Sequence, residues 1–323
     1  MQETKTIAQG LMEFLDKSPV NFYAARTVAD RLDAAGYTCL DPRQPWDIKP
    51  GGKYYMVKND SAVFAVEVAD AAPSAGFRII SAHSDSPTFR IKPHPEMVSD
   101  GGVVKLNVEV YGGPIYYTWF DRPLSIAGRV VLRSDDPLNP RRELVKFDRP
   151  LLTIPHLAIH FNRAVNEGNP LSAQKDMLPV IGVIKDRAEA DGLLMRMVAE
   201  KLQCRVDDIL DFDLSLYDTT PACLVGLNEE LISSGRLDDL SMVHAALEAL
   251  LTAQGKCPQT RVMAIFDNEE TGSGTKQGAA SPVLATMLQR ITRSLGGNDE
   301  DFARAIANSF MISADNAHAF HPN

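Results

Sequence analysis

Three apolar segments of the chain, residues 77–82, 262–266 and 309–314, each end in side chains that can bind a metal or move a proton. The first segment leads into His83 and Asp85, the second into Glu269 and Glu270, and the third into Asp315. In open α/β sheets, ligands collect beyond the carboxyl ends of the strands. We therefore expect the three segment ends to converge on one site.

Glu269 and Glu270 are adjacent carboxylates between a strictly apolar run and the glycine-containing residues 272–274. In a hydrolytic metal site, one member of such a pair binds the metal, and the other acts as general base with its pKa raised toward the working pH. The alternative is a solvated acidic turn. We favour the functional interpretation, because an exposed turn does not need the apolar run that precedes this pair.

His83 and Asp85 are two residues apart at a predicted strand end, so in extended backbone their side chains share a face. Asp85 could then accept one N–H of the imidazole while the other ring nitrogen of His83 binds a metal. For these two residues alone, a hydrogen-bonded structural histidine and a turn-forming aspartate before Pro87 is the more common explanation.

Asp238 and Asp239 open a predicted helix over residues 239–253, where helix capping and metal binding explain them equally well. Asp315 is either a turn residue or the further carboxylate that a two-metal hydrolytic site needs. Histidine and carboxylate ligands suit zinc or a similar divalent ion. The four cysteines lie too far apart in sequence for a thiolate site.

The composition is that of a globular protein. Of the 323 residues, 45% are hydrophobic and 23% are charged, which excludes disordered and fibrous classes. The net charge of -9, without a basic block, argues against nucleic acid or a membrane surface as partner. No apolar stretch approaches the roughly 20 residues that span a bilayer. With scattered free thiols and no signal sequence, we expect a cytoplasmic protein.

The elements that must position these residues fall into three blocks. Residues 1–93 have α/β character, with helices predicted near 8–15 and 23–35 and strands near 54–58, 62–68 and 77–82. Residues 94–226 alternate apolar and polar side chains at 103–110, 124–132 and 143–147, as antiparallel strands do, and only 188–202 indicates a helix. The α/β pattern returns in residues 227–323. We predict an α/β catalytic domain with a β-rich insertion.

Four segments resemble, in order and spacing, the signature set of the M18 metallopeptidases, the aspartyl aminopeptidases: residues 82–87, 236–240, 267–273 and 313–323. Residues 111–113, 118–122 and 154–160 are also similar to that family. The resemblance implies an αβα catalytic domain whose β-rich insertion builds a large homo-oligomer, a dodecamer. It also implies removal of amino-terminal residues of peptides, preferentially Asp or Glu, by two zinc ions, with cobalt or manganese as alternative metals.

The resemblance further implies a role for each matching residue. It places His83 and Asp315 on one metal, Asp238 between the two metals, Glu270 on the second metal, Glu269 as general base, Asp85 against His83, His160 in the active site of a neighbouring subunit, and His318 on the substrate.

The chain departs from the family pattern in two places. Family members continue past the position of Asn323 through a segment that carries a histidine ligand of the second metal and substrate-binding residues. Asp239 stands where asparagine is often found. For residues 1–323 alone we therefore expect at most one tightly held metal and negligible hydrolysis. Two other classes stay open, a non-catalytic assembly subunit or binding module and a co-catalytic metallohydrolase of another specificity.

Overall fold

The computed structural model describes residues 2–255 and 257–322. The chain forms two compact units, one of Met1–Ser86 with Pro221–Asn323 and the other of Pro87–Thr220. The sequence placed the corresponding boundaries after residues 93 and 226. Pro93 and Pro95 lie inside a strand, Thr88–Val98, which begins before the boundary expected after residue 93. Around these two prolines the pairing of this strand with its neighbour, Val103–Tyr111, is interrupted, and the register shifts between Ile91 and Glu96.

The helices and strands of the first unit are α1 (Gln2–Lys17), α2 (Asn21–Ala34), β1 (Thr38–Cys39), β2 (Lys53–Lys58), β3 (Ala62–Glu67), β4 (Phe77–His83), β11 (Cys223–Val225), β12 (Leu231–Ser233), α5 (Leu237–Thr252), β13 (Thr260–Phe266), α6 (Val283–Ser294), α7 (Asp299–Ala307) and β14 (Phe310–Ser313). The predicted helices near 8–15 and 23–35 and the strands near 54–58, 62–68 and 77–82 are confirmed, with bounds that shift by a few residues.

Six of these strands form one sheet in the order β1-β2-β3-β13-β4-β14. β4 pairs in parallel with both β13 and β14, with Phe266 opposite His83 and Ser313 opposite Ser81. The carboxyl ends of these three strands therefore lie side by side at one edge of the sheet. The expected convergence of the three segment ends is confirmed, and it follows from this register.

The central strands are apolar throughout because both faces of the sheet are covered. Successive residues of β3 and β13 alternate between two cores: Val63 and Met263 belong to the core beneath α1, α2 and α5. Phe64 and Val262 belong to the opposite core, which α6 supplies. The first unit is thus an αβα arrangement, as predicted.

The second unit contains β5 (Thr88–Val98), β6 (Val103–Tyr111), β7 (Leu124–Leu132), β8 (Arg141–Lys146), α3 (Ala173–Asp176), β9 (Val180–Val183), α4 (Leu193–Leu202) and β10 (Ile209–Asp218). Its six strands form an entirely antiparallel sheet in the order β8-β7-β10-β5-β6-β9. Leu194 and Val198 of α4 pack into the core of this sheet. The predicted β-rich character is confirmed.

The helix predicted over 188–202 is too long. Gly192 adopts a left-handed backbone conformation, φ 60°, and divides a short 3-10 turn, Arg187–Ala190, from α4. In the described part of the chain, no helix combines the length and the apolar character needed to cross a membrane.

Candidate metal centre

Carboxylates surround one nitrogen of a buried histidine at the edge where β4, β13 and β14 end. The Nε2 atom of His83 lies 3.4 Å from Asp238 Oδ1, 3.8 Å from Glu269 Oε2, 3.8 Å from Asp315 Oδ1 and 4.0 Å from Asp239 Oδ2. The side chains of Asp238, Glu269 and Asp315 are each about half exposed, whereas the His83 ring is only 6% exposed. The cluster therefore opens toward solvent above a fixed imidazole.

The other ring nitrogen of His83 is fixed by Asp85. Nδ1 lies 3.1 Å from the Asp85 main-chain oxygen and 3.2 Å from Asp85 Oδ1. Burial of the ring lowers the pKa of His83, but the hydrogen bond and charge of Asp85, with the charges of Asp239 and Glu269, outweigh it and raise that pKa to about 9. Because Nδ1 donates its proton to Asp85, Nε2 faces the carboxylates and is the atom available to a metal.

Asp85 also holds the paired glutamates. Its side chain is buried, and its two oxygens accept the backbone N–H groups of Glu269 and Glu270, each at 3.2 Å. One carboxylate thus joins the end of β4 to the segment after β13. The sequence predicted the contact with His83 but gave no signal for the contact with the glutamate backbone.

Asp238 and Asp239 do not cap α5. Arg236 occupies the cap position without a side-chain capping bond, and both aspartates have non-helical backbone angles. Instead, Asp239 is fully buried and its Oδ2 accepts the His83 backbone N–H at 3.0 Å. Its Oδ1 has no hydrogen-bond partner among the described residues. Burial removes water from the Asp239 carboxylate and raises its pKa to about 7, although the hydrogen bond and the charge of His83 act in the opposite direction.

Glu270 is the member of the glutamate pair that the structure partly buries. Its burial and the nearby charges of Asp85, Asp238 and Glu269 raise the pKa of Glu270 to about 7. A raised carboxylate pKa beside other acids indicates a group that a cation would keep ionised.

Asp315 is brought to the cluster by the segment that follows β14. The Ala314 N–H donates to Ser81 O at 2.8 Å, which continues the pairing with β4. The side chain of Asn316 donates to Leu237 O and to Ser241 Oγ at the start of α5. Asn316 lies within the segment 313–323 that carries the resemblance, but no local pattern in the sequence indicates its contact with α5.

Three of these residues have the geometry of a metal site. His83, Asp238 and Asp315 each offer one ligand atom, and the three atoms all lie within 4.8 Å of one another. One imidazole nitrogen and two carboxylate oxygens form a donor set that zinc accepts, and a catalytic zinc site usually has three protein ligands. The residues present therefore fit a zinc ion. Among the described residues, Glu270 does not belong to this three-residue group.

The two other predicted histidines lie away from regular secondary structure. His318 is exposed in the segment after β14, and His160 is exposed in a loop of the second unit. Their assigned contacts with substrate stay predictions.

A family model described as aminopeptidase I zinc metalloprotease (M18) matches residues 14–323. A probable M18 family aminopeptidase 2 of Clostridium acetobutylicum is 50% identical over 325 residues, which cover all of this chain and 75% of that protein.

Two solved structures share the fold. A chain in the cryo-EM structure of the Ape4 and Nbr1 complex superposes with a TM-score of 0.93 and is 35% identical. This chain spans 65% of it, slightly less than two thirds, and 98% of this chain is matched. mApe1 of Chaetomium thermophilum gives a TM-score of 0.88 at 32% identity, over 98% of this chain and 75% of that one.

Proposed function

The chain belongs to the M18 family of zinc metallopeptidases, and we propose that it is an aminopeptidase that removes the amino-terminal residue of peptides at a two-zinc centre. We further propose that acidic amino-terminal residues, Asp and Glu, are preferred. The preference for acidic residues and the number of metals rest on the resemblance of residues 82–87, 236–240, 267–273 and 313–323 to the family signature.

One observation supports the proposal above the others. Asp238, Glu269 and Asp315 surround the buried imidazole of His83 within 3.8 Å, with further carboxylates behind them. The ligand oxygens of Asp238 and Asp315 also lie within 4.8 Å of each other, and two negative charges at such a distance repel strongly unless a cation or protons neutralise them. We assign His83, Asp238 and Asp315 to one zinc, and Asp238 with Glu270 to the second.

A zinc ion bound here would lower the pKa of a water molecule and polarise the peptide carbonyl. In the proposed reaction, Glu269 takes a proton from the attacking water and returns it to the leaving amine. Its half-exposed side chain, 3.8 Å from His83 Nε2, is well placed to reach a water at the centre. Asp85 keeps His83 and the two glutamates in position, and His318 contacts the substrate.

We also propose that the protein works as a homo-oligomer in the cytoplasm. In the second unit, the loop that carries His160 exposes three large apolar side chains, Leu157 at 62%, Ile159 at 50% and Phe161 at 82%. Exposed apolar clusters of this kind mark interaction surfaces. A subunit contact there would bring His160 to a neighbouring active site. The four cysteines are free thiols, which fits a reducing compartment.

In the complete family-like enzyme, the proposed activity is tested with a panel of chromogenic substrates with free amino termini beside the same peptides with blocked amino termini. We expect hydrolysis only of the free peptides, fastest for Asp and Glu. Zinc binding without hydrolysis of any member of the panel would support a non-catalytic subunit, and cleavage of the blocked peptides would support a hydrolase of another class.

In the same complete enzyme, two variants separate the roles of the glutamates. Glu269→Gln should keep its zinc while kcat falls by at least ~10²-fold, because a general base contributes about 10²–10⁴-fold. Glu270→Gln should lose zinc from the second position. Loss of zinc in Glu269→Gln, with full zinc content in Glu270→Gln, would show that the two roles are exchanged.

A further inference from the structure

Behind the glutamate pair, the segment between β13 and α6 is closed by buried polar side chains to which the proposed chemistry assigns no role. Asp267, Asn268 and Gln277 are all less than 10% exposed. Burying this many polar groups is costly unless each is hydrogen-bonded, so the arrangement calls for an explanation. We call residues 267–280 the glutamate loop.

Asn268 is the residue on which the glutamate loop closes. It adopts the left-handed backbone conformation, φ 65°, which asparagine tolerates better than most residues. Its side-chain oxygen accepts hydrogen bonds from Thr275 Oγ1 at 2.8 Å and from Gln277 Nε2 at 2.7 Å. Its main-chain oxygen accepts the Ser273 N–H at 2.8 Å. Asn268 thus ties both sides of the loop across the two glutamates.

The base of the loop is tied to the rest of the first unit. The Asp267 N–H donates to Gln277 O at 3.2 Å. The Asp267 carboxylate accepts the side-chain amide of Asn21, the first residue of α2, at 3.1 Å to each oxygen. Gly278 lets the chain pass closely, since a Cβ there would lie 2.2 Å from Ser273 O. Hydrogen bonds therefore close the glutamate loop at its base and attach it to α2.

We propose that Gln277 and Thr275 are positioning residues for Glu269 and Glu270. By holding the Asn268 side chain, they fix the backbone turn that presents the N–H groups of both glutamates to Asp85. This inference rests on the proposed function, because it gives the loop the task of setting the carboxylates at a metal centre. Neither residue contacts the metal ligands directly in the structure's hydrogen bonds.

The test uses Gln277→Met, which keeps the length of the side chain and removes the donor to Asn268. Zinc affinity is measured by competition with a chromophoric chelator, and amide hydrogen exchange is measured on the zinc-free protein. We expect zinc to bind about 10-fold more weakly, as is typical when supporting hydrogen bonds are lost, and the Glu269 and Glu270 amides to exchange faster. Gln289→Met, which removes a more exposed glutamine donor on α6, should change neither quantity.

If Gln277→Met fails to fold, the exposed Thr275 provides the second variant. Thr275→Val removes the hydroxyl at nearly constant volume, whereas Thr275→Ser keeps it. We expect Thr275→Val to weaken zinc binding and speed the exchange of the two glutamate amides to a smaller extent than Gln277→Met does. We expect Thr275→Ser to behave like the wild-type protein. Unchanged exchange at Glu269 and Glu270 in the Gln277 or Thr275→Val variant would overturn the positioning role, even if zinc binds. Failure of the wild-type protein to bind zinc would instead overturn the proposed function, and the exchange data would still decide the role of the loop.

Discussion

Asp85 is the residue through which the histidine and the glutamates of the centre act on one another. Its carboxylate contacts the His83 ring and both glutamate N–H groups, so three parts of the site share one acceptor. A carboxylate offers two oxygens that only accept, whereas an amide offers one oxygen and two donors. The charge and the number of acceptors therefore both matter at this position.

We predict that Asp85→Asn weakens zinc binding by about 10–100-fold, the range typical of partners that orient a metal ligand. The amide can satisfy only one of the glutamate N–H groups, and it removes the negative charge that raises the pKa of His83. Isothermal titration with zinc measures the change, with Asp30→Asn on the exposed face of α2 as control. Equal affinities in both variants would remove Asp85 from the site.

The site residues that follow the apolar strands could be predicted from the sequence, because a strand end is a local pattern. The roles within the site could not. Helix capping and metal binding explain Asp239 equally well in the sequence, but its contact is with the His83 backbone, which is 156 residues away in the chain. Asn21 and Asp267 are separated by 246 residues. Such contacts are set by packing of distant segments, and no local spacing encodes them.

At the scale of the elements, parallel pairing of β4 with β13 and β14 turns three separate chain segments into one site. The continuous apolar runs made these strands predictable. Other elements were missed although the sequence carried a signal: Asn298 and Asp301 form a capping box at the start of α7, and β10 alternates apolar and polar residues. β5 could not be predicted because it contains two prolines, and proline is rarely found in the interior of a strand.

β14 is the edge strand of the first sheet, and its apolar side chains are unusually exposed. Phe310 is 62% and Ile312 52% exposed. An exposed apolar edge pairs readily with other chains. We predict that Phe310→Lys lowers the aggregation of the purified protein, measured by light scattering during heating. Leu227→Lys, at a 93% exposed position outside the sheet, is the control, and an equal effect of both would mean that general surface polarity is responsible.

The contact between α1 and α5 should depend on pH through His244. This histidine is 3% exposed, packs on Phe14 and lies 3.2 Å from Glu248. Burial of the ring lowers the pKa of His244 below the ordinary 6.5, and the positive charge of Arg31 lowers it further. The negative charge of Glu248 opposes this shift but does not cancel it. As the pH falls, His244 therefore becomes protonated at a higher pH in the unfolded chain than in the folded protein. Its contribution to the stability of the fold is present above pH 6.5 and is lost as the pH falls below that value.

We expect the free energy of unfolding of the wild-type protein to fall between about pH 7 and pH 5, and His244→Gln to remove part of this fall because glutamine does not titrate. Chemical denaturation at several pH values measures it. The exposed His94 supplies the control His94→Gln. Identical pH profiles for wild type and His244→Gln would contradict the assignment.

At the scale of the whole molecule, the chain combines an αβα unit that carries the candidate centre with an antiparallel unit that has its own core. The sequence predicted both units, because the change from helical to alternating periodicity extends over many residues. An insertion with a separate core can acquire a task of its own, and we assign it subunit assembly.

We predict that Phe161→Ser shifts the protein toward smaller assemblies, because it removes the most exposed large apolar side chain of the His160 loop. Analytical ultracentrifugation measures the distribution of masses. Leu138→Ser, at a 90% exposed position in the same unit, is the matched control. Unchanged assembly in Phe161→Ser would place the subunit contact elsewhere.

The identity of the metal ligands tests the central claim most directly, and zinc K-edge X-ray absorption of the zinc-loaded protein measures it. We predict only nitrogen and oxygen neighbours at about 2.0–2.2 Å, with the scattering pattern of one imidazole from His83. Sulfur neighbours at about 2.3 Å would show that cysteines hold the metal, and a spectrum without imidazole would exclude His83. Either result would contradict a zinc centre at the ends of β4, β13 and β14.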